Sequence, residues 1–276
     1  MNKDFIKTAV IGHPIAHSKS PLIHSEWLRE HGVEGSYEAI DIEPDALVEG
    51  VRALVERGYA GFNITLPHKV AIMALCDEVD ETARAIGAVN TVTIRDGKLY
   101  GTNTDAFGFA KNILSAGLDG WSFKDGAAVV LGAGGAARAI IYALLKEGAP
   151  SIILLNRTRE KAEELAGMDT KIQVEDWDKR NQALENANLV VNTTSLGMES
   201  KPSLDIDLSL APAGALVTDI VYEPLMTDLL KQADTRGLRV VTGIGMLLHQ
   251  ARLGFELWNS VMPEVTPELE KKVLGS

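Results

Sequence analysis

Cysteine is nearly absent from this chain, since Cys76 is the only one in 276 residues. A single thiol excludes both an intrachain disulfide and a zinc site built from several cysteines. The chain also lacks any run close to the roughly 18 apolar residues that a membrane-spanning helix needs. Its opening Asn2-Lys3-Asp4 segment has no apolar core of the kind that a signal peptide carries. We therefore expect a cytoplasmic protein that does not bind membranes.

Basic residues are in deficit, with 27 lysines and arginines against 38 aspartates and glutamates and a net charge of -11. This balance disfavours nucleic acids and anionic membranes as partners. A small-molecule substrate fits the composition better, and a homodimer is compatible with it. Because 46% of the residues are hydrophobic, the chain can build a large core, most simply in two domains.

A glycine-rich turn stands at the centre of what the chain does contain. The apolar run 127–131 leads directly into Gly132-Ala133-Gly134-Gly135-Ala136-Ala137 and then into a helical pattern. Gly132 allows a tight turn, Gly134 lets a phosphate approach the backbone, and Ala137 meets the third small-residue position. This order of strand, turn and helix is typical of a dinucleotide site, in which the helix N-terminus holds a pyrophosphate. A tight turn without any ligand is the alternative interpretation.

The next strand, predicted over 151–155, ends in Asn156-Arg157-Thr158-Arg159-Glu160-Lys161. NAD-binding proteins place an acid near this point for the ribose 2′-hydroxyl, whereas here a neutral residue is followed by cations. Arg157 and Arg159 are suited to pair with a 2′-phosphate. A solvated helix start with Thr158 as N-cap is the alternative, but cations there oppose the helix dipole. The segment therefore favours NADP.

Strands and helices alternate along the second half of the chain. With the two strands already described, apolar runs at 171–174, 189–192, 216–221 and 239–242 make six strands, enough for a doubly wound parallel sheet. We predict an α/β protein of two domains, an α/β substrate domain and a doubly wound Rossmann NADP-binding domain. Residues 1–108 form the first part of the substrate domain and residues 109–242 the Rossmann domain. Residues 243–276 are expected to form helices that return to the substrate domain.

The first half of the chain places polar side chains near its predicted strand ends, where open parallel sheets bind ligands. Pro21 suits the first position of a helix, with Ser20 as its N-cap. Lys69 begins a run that predicts a helix through residue 75. Asp96-Gly97 marks a two-residue hairpin between the predicted strands 88–94 and 99–102.

Several of these motifs together resemble one family, shikimate dehydrogenase. The matching stretches run in the family's order across about 240 residues. They are Gly12-His13-Pro14-Ile15-Ala16-His17-Ser18-Lys19-Ser20-Pro21, Asn63-Ile64-Thr65-Leu66-Pro67-His68-Lys69, Gly87-Ala88-Val89-Asn90-Thr91, Asn103-Thr104-Asp105, the glycine-rich turn, Asn156-Arg157-Thr158 and the stretch 243–250. The resemblance implies an oxidoreductase that reversibly reduces 3-dehydroshikimate to shikimate with NADPH. This reaction belongs to the route to chorismate and the aromatic amino acids.

The resemblance assigns the chemistry to Lys69 and Asp105. Reduction of a ketone needs a proton for the developing alkoxide, and an ammonium beside a carboxylate can stabilise that charge and supply the proton. A solvated lysine on the first turn of a helix is the alternative for Lys69. A helix N-cap is the alternative for Asp105.

The remaining expected site residues divide between substrate and cofactor. Hydroxyls and amides that the resemblance places on the substrate are Ser18, Ser20, Thr65, Asn90, Tyr222 and Gln250. Residues that it places on the cofactor are Gly132, Ala133, Gly134, Gly135, Ala136, Asn156, Arg157, Thr158, Lys161, Ile220, Gly243 and Glu81. An N-cap role competes for Ser20, and a surface helix acid is an equal alternative for Glu81.

Two other functions stay open at this point. A dehydrogenase of the same fold could prefer quinate and NAD, although the cationic segment at 156–161 speaks against NAD. A non-catalytic regulator could use the dinucleotide as a signal, although the presence of both Lys69 and Asp105 disfavours it. A metal site is not expected, because His13 and His17 lack a cluster of further ligands.

Overall fold

A computed structural model describes residues 5–199 and 201–275, and the Asn2-Lys3-Asp4 segment lies outside them. The chain divides into two compact units. One contains the described residues up to Asp105 together with those from Leu248 onward, and the other runs from Ala106 to Leu247. The boundaries at 105/106 and 247/248 differ by a few residues from the predicted ones at 108/109 and 242/243. Of the described helices, none combines the length and the apolar character needed to cross a bilayer.

The first unit is built around a mixed sheet. Its elements are β1 (Ile6–Gly12), α1 (Ser20–Glu30), β2 (Gly35–Asp41), α2 (Leu47–Glu56), β3 (Gly61–Ile64), β4 (Glu78–Val79), α3 (Glu81–Ile86), β5 (Thr91–Arg95) and β6 (Lys98–Thr102). The strand order is β2-β1-β3-β5-β6-β4, with β1 parallel to β2 and β3 and with β5 antiparallel to β3 and β6. Asp96 and Gly97 join β5 to β6 with φ values of 52° and 74°, which confirms the predicted hairpin.

The second unit contains a fully parallel six-stranded sheet. Its elements follow α4 (Asp105–Leu114) and are β7 (Ala127–Leu131), α5 (Gly135–Lys146), β8 (Ile152–Leu155), α6 (Arg159–Ala166), β9 (Ile172–Glu175), β10 (Ala187–Asn192), β11 (Leu216–Asp219), α7 (Asp228–Thr235) and β12 (Arg239–Val241). The strand order is β12-β11-β10-β7-β8-β9. The strands β8 and β9 follow on one side of β7, and β10, β11 and β12 follow on its other side, so the order switches between β7 and β10. This order is the doubly wound arrangement that places a ligand crevice at the carboxyl ends of the strands. The predicted fold class is confirmed.

The strand and the helix on either side of the glycine turn lie in the core of the second unit. Val129, Val130 and Leu131 are fully or almost fully buried, and so are Ile140 and Leu144 of α5. A central parallel strand is covered on both faces, so it consists of a continuous apolar run. This burial holds the end of β7, and therefore the turn that follows it, in a fixed position.

Two helices close the chain, α8 (Ile244–Asn259) and α9 (Pro267–Leu274). The sequence patterns predicted both, but they missed the short β4 and α3. The helix predicted from Lys69 is wrong, because residues 66–70 form turns and a 3-10 helix follows at Ala71–Leu75. The carbonyl of Lys69 accepts a hydrogen bond from the Val89 amide at 2.8 Å. The Met73 amide, which would bond to this carbonyl in an α-helix, donates instead to the Val70 carbonyl at 3.2 Å.

Candidate active site

Lys69 and Asp105 form an ion pair in the first unit. The Lys69 Nζ lies 2.5 Å from the Asp105 Oδ2, and the two side chains are 15% and 8% exposed. The turn after β3 supplies the lysine, and the first residue of α4 supplies the aspartate. A pair this close and this protected from water keeps a proton donor beside a fixed negative charge. Neither side chain is therefore a freely solvated surface group.

Asn90 holds the other oxygen of that carboxylate. Its Nδ2 donates to the Asp105 Oδ1 at 2.8 Å, and its Oδ1 accepts from the backbone amide of Thr104 at 2.7 Å. The Asp105 backbone amide donates to the Asn103 Oδ1 at 3.0 Å. Both carboxylate oxygens of Asp105 are thus engaged by side chains. Asp105 is also the first residue of α4 and does not precede it, so the N-cap interpretation of Asp105 is wrong.

Ser20 does not cap α1, so the N-cap interpretation is wrong. The helix begins at Ser20 itself, and Lys19 occupies the cap position. The reason is that the first helical bond runs from the Ile23 amide to the Lys19 carbonyl, at 3.2 Å. Ser20 is 7% exposed, and its hydroxyl lies close to Tyr37, whose phenol pKa it acts to lower. Ser18 lies next to it, with its Oγ accepting from the Ser20 amide at 3.3 Å.

Two further residues of the predicted substrate set lie in the first unit. The Gln250 Oε1 is 3.5 Å from the Asn90 Nδ2 and 3.4 Å from the Thr104 Oγ1. Thr65 is half-buried directly after β3, and its amide donates to the Ile11 carbonyl at 2.9 Å. Gln250 therefore joins the Asn90 cluster, whereas Thr65 lies four residues before Lys69 in the same connection.

Tyr222 belongs to the second unit, unlike the other predicted substrate residues. It follows β11 and is half-buried. Burial raises the pKa of its phenol, with a further rise from the neighbouring Glu223 carboxylate. Tyr222 is therefore a neutral hydrogen-bonding group at ordinary pH.

The glycine turn leaves space at the start of α5. Gly132 has a φ of +109°, and a Cβ there would meet the Thr193 Oγ1 at 2.7 Å and the Thr194 Cγ2 at 2.8 Å. Only glycine fits this position. At Gly134 and Gly135 a Cβ would meet nothing within 4 Å, so the N-terminus of α5 is open to a ligand. An open helix N-terminus after a parallel strand suits a pyrophosphate.

The loop after β8 separates its cations into paired and unpaired groups. Arg159 binds Glu163 at 2.8 Å and Asp176 at 2.5 Å, so it is not available for a phosphate, contrary to the prediction that it pairs with one. Arg157 and Lys161 are exposed, and their side chains have no hydrogen bond or ion pair with any residue that the structure describes. Thr158 occupies the N-cap of α6 but makes no side-chain cap bond. Two available cations and an available hydroxyl therefore lie at this helix start.

Asn156 connects this loop to the glycine turn. Its Oδ1 accepts from the Ala133 amide at 3.2 Å, and its Nδ2 donates to the Thr158 carbonyl at 2.7 Å. One side chain thus links the predicted pyrophosphate and 2′-phosphate segments.

Gly243 packs directly against the backbone that follows β11. A Cβ at Gly243 would lie 2.5 Å from the Asp219 carbonyl oxygen and 2.8 Å from the Ile220 carbonyl carbon. Ile220 and Gly243 are therefore brought together, as expected for residues that contact one end of the cofactor. Beside them, the Asp219 carboxylate accepts from the Asn192 Nδ2, the Val221 amide and the Thr227 Oγ1, at 2.9–3.0 Å.

Glu81 belongs to the first unit, unlike the other predicted cofactor residues. It is exposed in the first turn of α3, where Asp80 is the N-cap. An acid at this position also suits the helix dipole. Both interpretations of Glu81 therefore stay open.

The loop after β1 contains two histidines, His13 and His17. The His13 Nδ1 lies 2.6 Å from the Asp41 Oδ1, and this hydrogen bond raises the pKa of His13. Within residues 5–199 and 201–275, no group of three or more His, Cys, Asp or Glu residues is arranged to hold a metal ion.

Some members of the site were not predicted from the sequence. Thr91 and Thr104 bond to Asn90, Asn63 bonds to Thr91, and Asp219 organises the end of β11. Each is a short polar residue inside or just after a strand. That position is one signal in the sequence that could have indicated them, and for Asn63, Thr91 and Thr104 their place in the family motifs is another.

Comparison with protein families identifies both halves of the chain. Residues 10–92 match the model described as shikimate dehydrogenase substrate binding domain. Residues 111–199 match the model described as shikimate / quinate 5-dehydrogenase.

Individual relatives cover almost the whole chain. The shikimate dehydrogenase (NADP(+)) of Brucella abortus strain S19 is 48% identical over 273 residues, covering 98% of this chain and 94% of its own. Shikimate 5-dehydrogenase from Thermus thermophilus, crystallised with NADP(H) and shikimate, is 39% identical with a TM-score of 0.87, covering 98% of this chain and 99% of its own. Quinate dehydrogenase from Corynebacterium glutamicum, in complex with NAD, is 31% identical with a TM-score of 0.91 and 99% coverage of both chains.

Proposed function

Since the chain belongs to the shikimate dehydrogenase family, we propose that it catalyses the reversible, NADPH-dependent reduction of 3-dehydroshikimate to shikimate. The observation that carries this proposal is the protected pair of Lys69 and Asp105. The reaction is a step toward chorismate and the aromatic amino acids. The protein is an oxidoreductase acting on a CH–OH group.

The residues of this protein transfer the proton to and from the oxygen of the reacting carbonyl. Bound NADPH supplies the hydride. The Lys69 ammonium stabilises the charge that develops on the carbonyl oxygen and gives up a proton to it. Asp105 keeps the ammonium in place during reduction, and in the reverse direction the lysine takes the proton back from the hydroxyl.

Substrate selection rests on neutral hydrogen-bonding groups. We assign the ring hydroxyls to Thr65, Asn90, Gln250 and Tyr222, and the carboxylate to Ser18 and Ser20. A site built for several hydroxyls rejects analogues that leave its buried polar groups unpaired. The freedom of Ser20 from any capping role supports its assignment.

NADP is the cofactor that the second unit fits. The open start of α5 suits the pyrophosphate, and the residues Gly132, Ala133, Gly134, Gly135 and Ala136 surround it. Arg157 and Lys161, which no described residue pairs, suit a 2′-phosphate together with Asn156 and Thr158. Ile220 and Gly243 are assigned to the nicotinamide side, and Glu81 remains a prediction on the cofactor side.

The biological setting is proposed from composition. The net charge of -11 and the single cysteine suit a cytoplasmic enzyme whose partners are small molecules and not nucleic acids or membranes. A homodimer is compatible with these data. Size-exclusion chromatography with light scattering at several concentrations would establish the oligomeric state.

The decisive experiment measures NADPH oxidation with 3-dehydroshikimate and with 3-dehydroquinate, each repeated with NADH. The proposal predicts the highest kcat/KM for 3-dehydroshikimate with NADPH. Preference for 3-dehydroquinate and NADH would identify a quinate dehydrogenase instead. Binding of NADPH without turnover of either ketone would indicate a regulator.

A further inference from the structure

A directed series of hydrogen bonds runs through the interior of the first unit toward the active carboxylate. We refer to it as the Tyr37 chain, and its members in order are Tyr37, Asn63, Thr91, Asn90 and Asp105. Each of the five residues is at most 6% exposed. Water therefore offers little competition for these bonds, and their polarity is decided within the protein.

The direction of the chain is decided at Asn63. Its Nδ2 lies 3.3 Å from the backbone carbonyl of Asn90, which can only accept. The amide oxygen of Asn63 must then face Tyr37, whose hydroxyl lies 2.6 Å away. Because that oxygen can only accept, the Tyr37 hydroxyl must donate.

The same polarity continues toward Asp105. The Asn63 Nδ2 also donates to the Thr91 Oγ1 at 2.9 Å, so the single hydrogen of Thr91 can be given to the Asn90 Oδ1 at 3.0 Å. The Asn90 Oδ1 then accepts both from Thr91 and from the Thr104 backbone amide, which lies 2.7 Å away, and the Asn90 Nδ2 faces the Asp105 Oδ1 at 2.8 Å. A reversed amide would instead place an oxygen against the carboxylate.

Tyr37 is well held for this role. Its ring stacks on His24 with centroids 4.0 Å apart and planes 6° apart. Burial lowers the pKa of His24 to about 3, so the stacked imidazole is neutral at ordinary pH. Burial also raises the pKa of Tyr37, which keeps its hydrogen in place. The donor at the head of the chain is therefore both oriented and protonated.

We propose that Tyr37 and Thr91 are positioning residues for the reaction, holding Asn63 and Asn90 so that Asn90 donates to Asp105. This role rests on the proposed function of Lys69 and Asp105. Neither residue needs to touch substrate or cofactor. Their effect reaches the chemistry through the orientation of the carboxylate that holds Lys69.

The first test compares Tyr37→Phe with Tyr59→Phe in the full-length enzyme. Tyr37→Phe removes the donor but keeps the ring that stacks on His24. Tyr59→Phe is the matched control, because Tyr59 lies in the same unit and is 2% exposed. This variant loses a 3.0 Å hydrogen bond to Glu38, which is not part of the Tyr37 chain. Tyr37→Phe should lower kcat about two- to tenfold, the range expected for one hydrogen bond, and change the KM for NADPH less than about twofold. The control should leave both unchanged.

A second variant distinguishes a connected chain from separate structural effects. Thr91→Val cuts the chain nearer to Asp105, and it should lower kcat by a similar factor. If the residues act in one chain, the double variant should lose clearly less than the product of the single losses. An unchanged kcat in Tyr37→Phe, equal losses in the control, or multiplicative losses in the double variant would each overturn the proposal.

A third measurement does not depend on turnover. Side-chain amide hydrogen exchange of Asn63 and Asn90, followed by NMR, should accelerate in Tyr37→Phe and not in Tyr59→Phe. If the wild type failed to reduce 3-dehydroshikimate, the proposed function would be wrong. The exchange measurement would still test whether the Tyr37 chain exists. Unchanged exchange in Tyr37→Phe would contradict the chain itself.

Discussion

The two units prepare their predicted ligand sites in opposite ways. In the first unit, Asn90, Asp105 and Lys69 already bond to one another, and their side chains are largely protected from water. In the second unit, Arg157 and Lys161 are exposed and have no partner within the part of the chain that the structure describes. One site is a closed network of satisfied groups, and the other is an open group of charges suited to an incoming counter-ion.

This difference corresponds to the different tasks that we propose for the two sites. A group that acts in a transition state must be positioned before the reaction begins, so its partners belong to the protein. A group that binds a phosphate gains most when the ligand supplies the missing charge, so a protein partner would compete. Losses in the first unit should therefore appear in kcat, and losses in the second unit in cofactor affinity.

The largest expected effect is that of Lys69→Ala. If the ammonium acts on charge that develops only at the alkoxide, kcat should fall about 100- to 10,000-fold. The Kd of NADPH should stay within about twofold, because Lys69 and the predicted phosphate-binding residues lie in different units. Steady-state kinetics and fluorescence titration measure the two quantities. A kcat within about threefold of the wild type would remove Lys69 from the mechanism.

The partner variant tests whether the pair acts as a unit. Asp105→Asn should lower kcat in the same direction. The double variant should lose less than the product of the two single losses, because residues that act together are not additive. Independent, multiplicative losses would show that the 2.5 Å ion pair is structural and not functional.

The next effect concerns a buried carboxylate whose three hydrogen-bond donors are all neutral. Asp219 is 1% exposed, and burial raises its pKa from 3.8 to about 6 despite bonds that favour the charged form. The folded protein therefore holds this proton more tightly than the unfolded chain does. As the pH rises from about 4 to above 6, the free energy of unfolding should decrease through this group by up to about 3 kcal/mol.

Asp219→Asn isolates that contribution. The amide oxygen can keep the bonds from Asn192 and Val221, and the amide nitrogen can donate to the Thr227 hydroxyl. Urea unfolding between pH 4 and pH 7, about the range over which the group titrates, should show a decrease in the wild type that is absent in the variant. Parallel pH curves for the two proteins would contradict the assignment.

The sequence indicated local features far better than networks. The predicted bounds of β7 agree with the structure at both ends, because a central parallel strand is a continuous apolar run that stops at glycine. The family motifs also drew attention to Lys69 and Asp105, which the structure places in one ion pair. The turn at Lys69 was missed because its carbonyl bonds to Val89, 20 residues further along the chain.

The Asn90 cluster shows why the rest could not be read from local patterns. Asn90 bonds to Thr104 and Asp105, which are 14 and 15 residues away, and to Gln250, which is 160 residues away. No periodicity or cap rule encodes such distances. In the cationic segment at 156–161, the sequence shows the positive charges but not their partners. Only the structure shows that Arg159 is engaged by Glu163 and Asp176.

The next smaller effect tests the exposed cations Arg157 and Lys161 of the second unit. Arg157→Ala should weaken NADP(H) by about 1.5–3 kcal/mol, which is roughly tenfold or more in Kd, and leave NAD(H) within about twofold. The reason is the loss of a charge-assisted bond to the 2′-phosphate. Arg159→Ala is the matched control, and it should change neither affinity because its charge is already paired. Equal weakening of NADP and NAD by Arg157→Ala would count against the assignment.

The smallest expected effect decides between the two interpretations of Glu81. The helix α3 spans only Glu81–Ile86, and the Asp80 side chain accepts from the Ala83 amide at 2.7 Å as its N-cap. An acid in the first turn of such a helix stabilises it by about 0.3–1 kcal/mol at low salt. If Glu81 is a surface helix acid, the substitution Glu81→Gln should therefore lower the free energy of unfolding by a few tenths of a kcal/mol. High salt should reduce this loss. Its Kd for NADP should stay the same. Urea unfolding and cofactor titration at low and high salt measure both quantities. A weaker NADP affinity with unchanged stability would instead make Glu81 a cofactor residue, and the first unit would then also contain a group whose partner is the ligand.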